Sequence, residues 1–171
     1  MKTIPTKINK YNVYNQGNRL LGMGDEVTLP GFEASSETVS GAGVLGEFDD
    51  PTVGYFSNME QEIPFRVLDA EAVDMLDQTK AVQLELRGAQ QTTDANGDIE
   101  FRPMRVVVRG RMAGFDPGKV KAGNGMETSV KLTVLYILIE LEDQPMVELD
   151  KINEVFKIRG MDVLAKIKEM C

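Results

Sequence analysis

Residues Val82–Met112 read VQLELRGAQQTTDANGDIEFRPMRVVVRGRM. Apolar residues alternate on either side of the centre: Val82, Leu84 and Leu86 before it, Met104, Val106 and Val108 after it. Period two is strand periodicity, and DANGD between the arms is turn chemistry, so the segment predicts a long antiparallel hairpin. Two loops compete. A two-residue Asn-Gly turn pairs Ala95 with Asp98 and sets Leu84 opposite Arg109 and Leu86 opposite Val107. A three-residue loop, Ala95-Asn96-Gly97, sets Leu84 opposite Val108 and Leu86 opposite Val106. A one-residue slip exchanges the faces of a strand, so apolar matching selects the second register. That register also puts Gly97 where a type I turn followed by a bulge needs a left-handed residue.

Working outward, most of the chain reads as strand. Tyr11–Tyr14 and Arg19–Met23 flank the turn residues Asn15-Gln16-Gly17-Asn18 and predict a second hairpin, with Asp25–Leu29 as a further strand. Ile63, Phe65 and Val67 alternate against Glu62 and Arg66, and Pro64 marks an edge or bulge. Asp69 can cap a short helix with Ala70, Val73 and Leu76 on one face. Phe115–Gly125 is a loop, and Ser129–Glu142 is a long strand. Its second half, Val134–Ile139, is apolar on both sides, as in a strand covered on both faces. Near the end, Val163, Leu164, Ile167 and Met170 lie on one face of a helix over 161–170, expected to pack on its own core. Many strands with two short helices and long loops make a β-rich chain, all-β or α+β, and 171 residues fit a single domain over 1–171.

Composition narrows the function. There is no histidine, which removes the commonest general base and metal ligand. The single cysteine, Cys171, can form no disulfide within the chain. A net charge of −8 argues against gripping a phosphate backbone as the main task. The N-terminal stretch has no apolar run of a secretory signal, and the apolar run Val134–Ile139 is too short to span a bilayer, so a soluble, cytoplasmically made chain without a membrane role is expected.

Four motifs invite chemistry. GAGVLG, Gly41–Gly46, spells G-x-G-x-x-G and raises a small dinucleotide-binding protein as an alternative. That fingerprint must follow a strand and open a helix. Here EASSETVS precedes it and EFDDP follows, so the glycines belong instead to a long, polar, unpatterned connection over 33–54. DANGDIE carries Asp94, Asn96 and Asp98 but has Gly97 fourth and Arg105 twelfth, which is not calcium-loop spacing. Arg105, Arg109 and Arg111 share one strand face, with Arg102 nearby, and read as a solvated or subunit-contact patch. Asp49-Asp50 and the Glu140, Glu142, Asp143 run are paired acids with no pocket to make them catalytic. No catalytic, cofactor or metal constellation remains, and no enzyme is expected.

Two further segments resemble the major tail tube protein family of contractile phage tails and phage-tail-like bacteriocins. One is Tyr11-Asn12-Val13-Tyr14 with Gly17, Gly22 and Val27-Thr28-Leu29-Pro30. The other is Leu149-Asp150-Lys151-Ile152-Asn153-Glu154-Val155 followed by Gly160-Met161-Asp162-Val163. Arg159, where a smaller polar residue is expected, departs from the pattern. The resemblance implies a tail-tube-type β-barrel or sandwich whose hexameric rings stack into a hollow β-barrel tube. It implies self-association, with sheath, baseplate, tail-terminator and tape-measure proteins as partners. DNA would pass through the lumen of a phage tail without specific binding, past a bore of negative potential. The place would be a virion tail or particle assembled in the host cytoplasm. The 33–54 connection becomes the inter-ring contact, through Gly41, Gly43, Val44, Leu45, Gly46, Glu47 and Phe48. Arg105, Arg109, Arg111, Asp150 and Lys151 become candidate interface charges.

Overall fold

A computed structural model describes residues 2–171. The elements follow as β1 (Ile4–Asn15), β2 (Asn18–Arg19), β3 (Ala34–Ser40), β4 (Glu47–Phe56), β5 (Glu60–Phe65), α1 (Ala70–Asp74), β6 (Val82–Thr93), β7 (Ile99–Asp116), β8 (Thr128–Leu141), β9 (Gln144–Asp150), β10 (Val155–Ile158), β11 (Met161–Asp162) and α2 (Ala165–Met170). The β6–β7 hairpin has the register that apolar matching selects: Leu84 pairs with Val108 and Leu86 with Val106. Asp94 closes the loop with its backbone to Asp98, Gly97 sits at φ 91°, and the Asp94 carboxylate accepts from the Asn96 and Asp98 N–H groups. That carboxylate serves the turn.

Nine strands form one antiparallel sheet, ordered β11-β10-β9-β8-β7-β6-β1-β2, with β5 also on β8. β8 is long enough to serve two neighbours on one side. Its first half pairs with β5 and its second with β9. The sheet then curls, because Ile63 and Phe65 of β5 bury against Val13, Val82 and Leu84 of the distant β1 and β6. A second cluster, Met59, Val106, Val108, Val134, Ile137 and Leu149, continues the core along β7, β8 and β9. The result is sandwich-like but open. The hydrogen-bonded path ends at β2 and β11, so no barrel closes within the described residues.

Three hairpins use two-residue turns with both residues at positive φ: Gln16-Gly17, Glu142-Asp143 and Arg159-Gly160. Such turns match the twist of the flanking strands. Arg159 lies at φ 49°, a position where Asn, Asp or Gly is favoured, which is a physical reason to expect a smaller polar residue there.

Five expectations need correction. Asp25–Leu29 is not a strand. It straps across the rolled sheet, held where Gln61 Nε2 donates to the Thr28 carbonyl at 2.9 Å and Tyr11 donates to the Asp25 carbonyl. Asp69 does cap α1, but the buried face is Ala72 and Met75, with Val73 exposed. The 33–54 stretch is no unpatterned connection. β3 and β4 pair as a separate two-stranded hairpin. In β8 only one face is covered, since Ile137 is buried while Tyr136 and Leu138 are half-buried. Leu135 is the extra residue of a bulge between the Arg109–Tyr136 and Gly110–Val134 pairs. The bulge shifts the alternation by one, so the unbroken apolar run joins two strand phases rather than two covered faces. Finally, residues 161–162 are strand and the helix is only Ala165–Met170, with Val163, Ile167 and Met170 exposed instead of packed on the core.

Candidate assembly interface

The curled sheet buries one face and leaves the other to a ladder of charges. Direct pairing sets Asn12, Arg87, Arg105 and Glu140 in one row across β1, β6, β7 and β8. The next row holds Tyr14, Glu85, Val107, Leu138, Glu148 and Lys157. A third holds Gln83, Arg109, Tyr136, Asp150 and Val155. Arg87 and Arg105 face each other directly, which is repulsive in isolation. Glu85 resolves it by accepting from both, at 2.5 Å from Arg87 Nε and 2.8 Å from Arg105 Nε, and Glu140 takes Arg105 Nη1 at 2.8 Å. Guanidinium groups also lie over Tyr14 (Arg87, 4.6 Å) and Tyr136 (Arg109, 4.7 Å). Tyr136 donates to Glu148, and burial together with that negative neighbour pushes its phenol up to about 12. Arg111, opposite Thr133, has no ion pair among the described residues, and Arg102 pairs instead with Glu142.

Hydrogen bonds from Arg105 and then Arg87 hold the Glu85 carboxyl below its ordinary value of 4.5. A carboxylate depressed in the folded state binds fewer protons there than when unfolded. Its stabilisation is therefore present above pH about 4.5 and is lost as pH falls through the folded value. Urea midpoints should be flat between pH 7 and 5 and fall below pH about 4.5, with a shallower fall in Glu85→Gln. An equally steep fall in the variant would remove Glu85 from the account.

The second signature of the sequence is a turn. Asp150 is buried at the end of β9. It accepts from the Ile152 and Asn153 N–H groups at 3.1 and 3.0 Å and from Asn153 Nδ2 at 2.7 Å, with Arg109 Nη2 at 3.6 Å. Burial alone would raise its carboxyl, but the Asn153 amide, the two backbone donors and Arg109 more than offset that and hold it low. Lys151 reaches the Ser57 carbonyl at 3.0 Å, and burial lowers its ammonium. Asp162 repeats the device by accepting from the Leu164 N–H at 2.9 Å beside Lys168. Both signature acids close turns inside the subunit.

The β3–β4 arm stands apart from this body. Its base is pinned: Phe56 meets Phe32 and Phe156 edge-on at 5.6 and 5.1 Å, Ser57 N–H bonds the Glu33 carbonyl, and Gly54 abuts Leu164. A groove of about 420 Å³ runs between Val53–Phe56, the Asp150 turn and α2. The tip is unpinned. Leu45 is fully exposed, Phe48 half-exposed and Val44 partly covered. Gly41, Gly43 and Gly46 lie at φ 125°, 91° and 90°, which few L-residues adopt, so the three glycines shape the tip of a hairpin. No helix opens there, and the dinucleotide reading of GAGVLG loses its support. Of the residues missed from sequence, Glu85, Tyr14 and Glu148 were detectable as polar positions alternating with apolar ones, whereas the bulge at Leu135 hides Tyr136 from such a count.

A rolled sheet with unfinished edges, a charge ladder over one face and a projecting arm with an unpacked apolar tip define a structural subunit completed by association. The chain belongs to the phage tail tube protein FII family, whose model matches residues 5–170. It is similar to the tail tube protein of Escherichia phage P2, 26% identical over 170 aligned residues covering 94% of each chain. It is also similar to the major tail tube protein of Serratia phage KSP20, 24% identical over 166 aligned residues covering 94% of this chain and 91% of the relative. Among the described residues, no helix is long and apolar enough to cross a membrane.

Proposed function

We propose that this chain forms the inner tube of a contractile phage tail or phage-tail-like particle. Hexameric rings stack into a hollow conduit within a sheath, assembled in the host cytoplasm. Baseplate, tail-terminator and tape-measure proteins set its start, end and length, and in a phage DNA passes through it. The carrying observation is the arm: it extends away from the body, is fixed at its base and ends in the exposed Leu45 and Phe48. Gly41, Gly43, Val44, Gly46 and Glu47 shape that contact. Six rolled sheets closing into a ring, with an arm laid on each strand edge that remains, would cover the edges a lone subunit carries. The charge ladder fits the bore wall. Arg87, Arg105 and Arg109 already meet carboxylates, which leaves Arg111 and Lys157 without an ion pair among the described residues, too few cations to grip a phosphate backbone. The acid surplus then lies outside this face, and balance rather than net negative potential lets DNA slide.

Leu45→Asp/Phe48→Asp should leave folding intact, since both side chains are exposed, and raise the concentration needed for tubes about tenfold or more. Negative-stain microscopy and sedimentation read this. A wild-type protein that stayed monomeric at high concentration, with and without a nucleating baseplate, would sink the tube reading.

A further inference from the structure

The arm and the N-terminal strand carry opposite, unmatched charge. From Glu33 to Phe56 the chain has Glu33, Glu37, Glu47, Asp49 and Asp50 and neither lysine nor arginine. Of these, Asp49 accepts a bond from Thr38, and none is ion-paired among the described residues. From Lys2 to Tyr14 the chain has Lys2, Lys7 and Lys10 and no acid. Lys7 and Lys10 are exposed and likewise form no ion pair among the described residues.

The backbone is complementary too. β1 pairs with β6 on one side, but on the other it pairs with β2 only at Tyr14 and Asn15. Ile4–Asn12 therefore presents an open edge, with Ile4 and Ile8 exposed beside the lysines. β3 and β4 pair only with each other, so the arm also has open edges, with Phe48 and Val53 exposed beside its acids. Lysines and bulges on an edge strand discourage pairing with a like edge, and β1 has both, the bulges falling between Pro5 and Lys7 and between Ile8 and Lys10. An acidic strand is the partner that such an edge still admits.

We propose that the acidic arm of one copy docks along the lysine-bearing edge of β1 in another copy, which selects arm-to-edge contact over arm-to-arm and edge-to-edge. Because the two surfaces differ, the contact is heterologous and passes from copy to copy, around a ring or along a filament, instead of closing a dimer. The inference rests on the tube reading and names the receptor for the arm.

Two full-length variants test it, Lys7→Glu/Lys10→Glu and Glu47→Lys/Asp50→Lys. All four side chains are exposed, so circular dichroism and melting should stay near wild type, and a variant that does not fold is replaced by its single substitutions. Each variant alone should need roughly ten times the wild-type concentration to form filaments, because the charge contrast is lost: the edge falls from +3 to −1 in the first and the arm from −5 to −1 in the second. An equimolar mixture should recover assembly, since the lysines introduced in the arm of the second meet the glutamates introduced on the edge of the first and the reverse pairing is native-like. Recovery in the mixture, and in the fourfold variant, supports the contact. Assembly of each variant at wild-type concentration, or no recovery on mixing, overturns it while leaving the tube reading standing. Wild-type protein that forms no filaments would instead remove the tube reading itself.

Discussion

Gly110→Ala is expected to destabilise the subunit by at least about 3 kcal/mol, more than a typical surface change by far. Gly110 lies in β7 beside the Leu135 bulge, paired with Val134. A Cβ built there would overlap the Thr133 carbonyl oxygen and come to 3.0 Å from its carbonyl carbon. Those are backbone atoms of the neighbouring strand, which no rotamer change can move aside. Relief requires β7 and β8 to separate where the second core cluster, Val108, Val134 and Ile137, depends on their spacing. Gly114→Ala is the control. Its Cβ would meet only the Lys131 side chain, at 3.7 Å, so it should stay within about 1 kcal/mol of wild type and gain from lower unfolded-state entropy. Urea unfolding with an unchanged slope measures both. Equal midpoints for the two variants would mean that the bulge is not where the structure puts it.

The same bulge shows what sequence could and could not reveal. In the β6–β7 hairpin, alternation, turn residues and apolar matching agree, and the register followed from them. At Val134–Ile139 the residue skipped at Leu135 merges two phases into one apolar run, so period counting misreads coverage. The arm failed for the opposite reason. ASSETVS and EFDDPTVGYF bury almost nothing, so no buried face imprints a period on them, although they pair over most of their length. In α1 the cap was legible because Asp69 acts locally, whereas the face was not, because the rolled sheet selects Ala72 and Met75. The charge ladder was half legible. Arg105, Arg109 and Arg111 share a strand parity, but Glu85, Glu140 and Asp150 join them only through strand pairing across the chain. Asp150 and Lys151 stood out through resemblance alone, and pairing shows what they do.

Asp150→Ala should cost about 3 kcal/mol, because it removes a buried carboxylate on which several donors converge, and hydrogen bonds to a charged group are the stronger kind. The Ile152 and Asn153 N–H groups, the Asn153 amide and the Arg109 guanidinium all converge on this carboxylate. The β9–β10 turn also needs Glu154 at φ 55°, an unfavourable backbone that the Asp150 cap helps to hold. Asp150→Asn keeps an acceptor for the backbone donors and loses the charge facing Arg109, so its cost should be smaller, about 1–2 kcal/mol. Asn153→Ala removes one of the same bonds. The double variant with Asp150→Ala should therefore cost less than the sum of the singles, as partners in one network do. The carboxyl is held low in the folded state, so the gap between wild type and Asp150→Ala should close as pH falls below about 4, when the wild-type group takes up its proton. Denaturant midpoints across pH 3 to 7 for these variants decide the matter. If Asp150→Ala unfolded with the wild-type midpoint at pH 7, the turn would be held by its strands alone. The Leu149–Val155 signature would then need another cause, in the contact that Lys151 makes with the Ser57 carbonyl at the base of the arm.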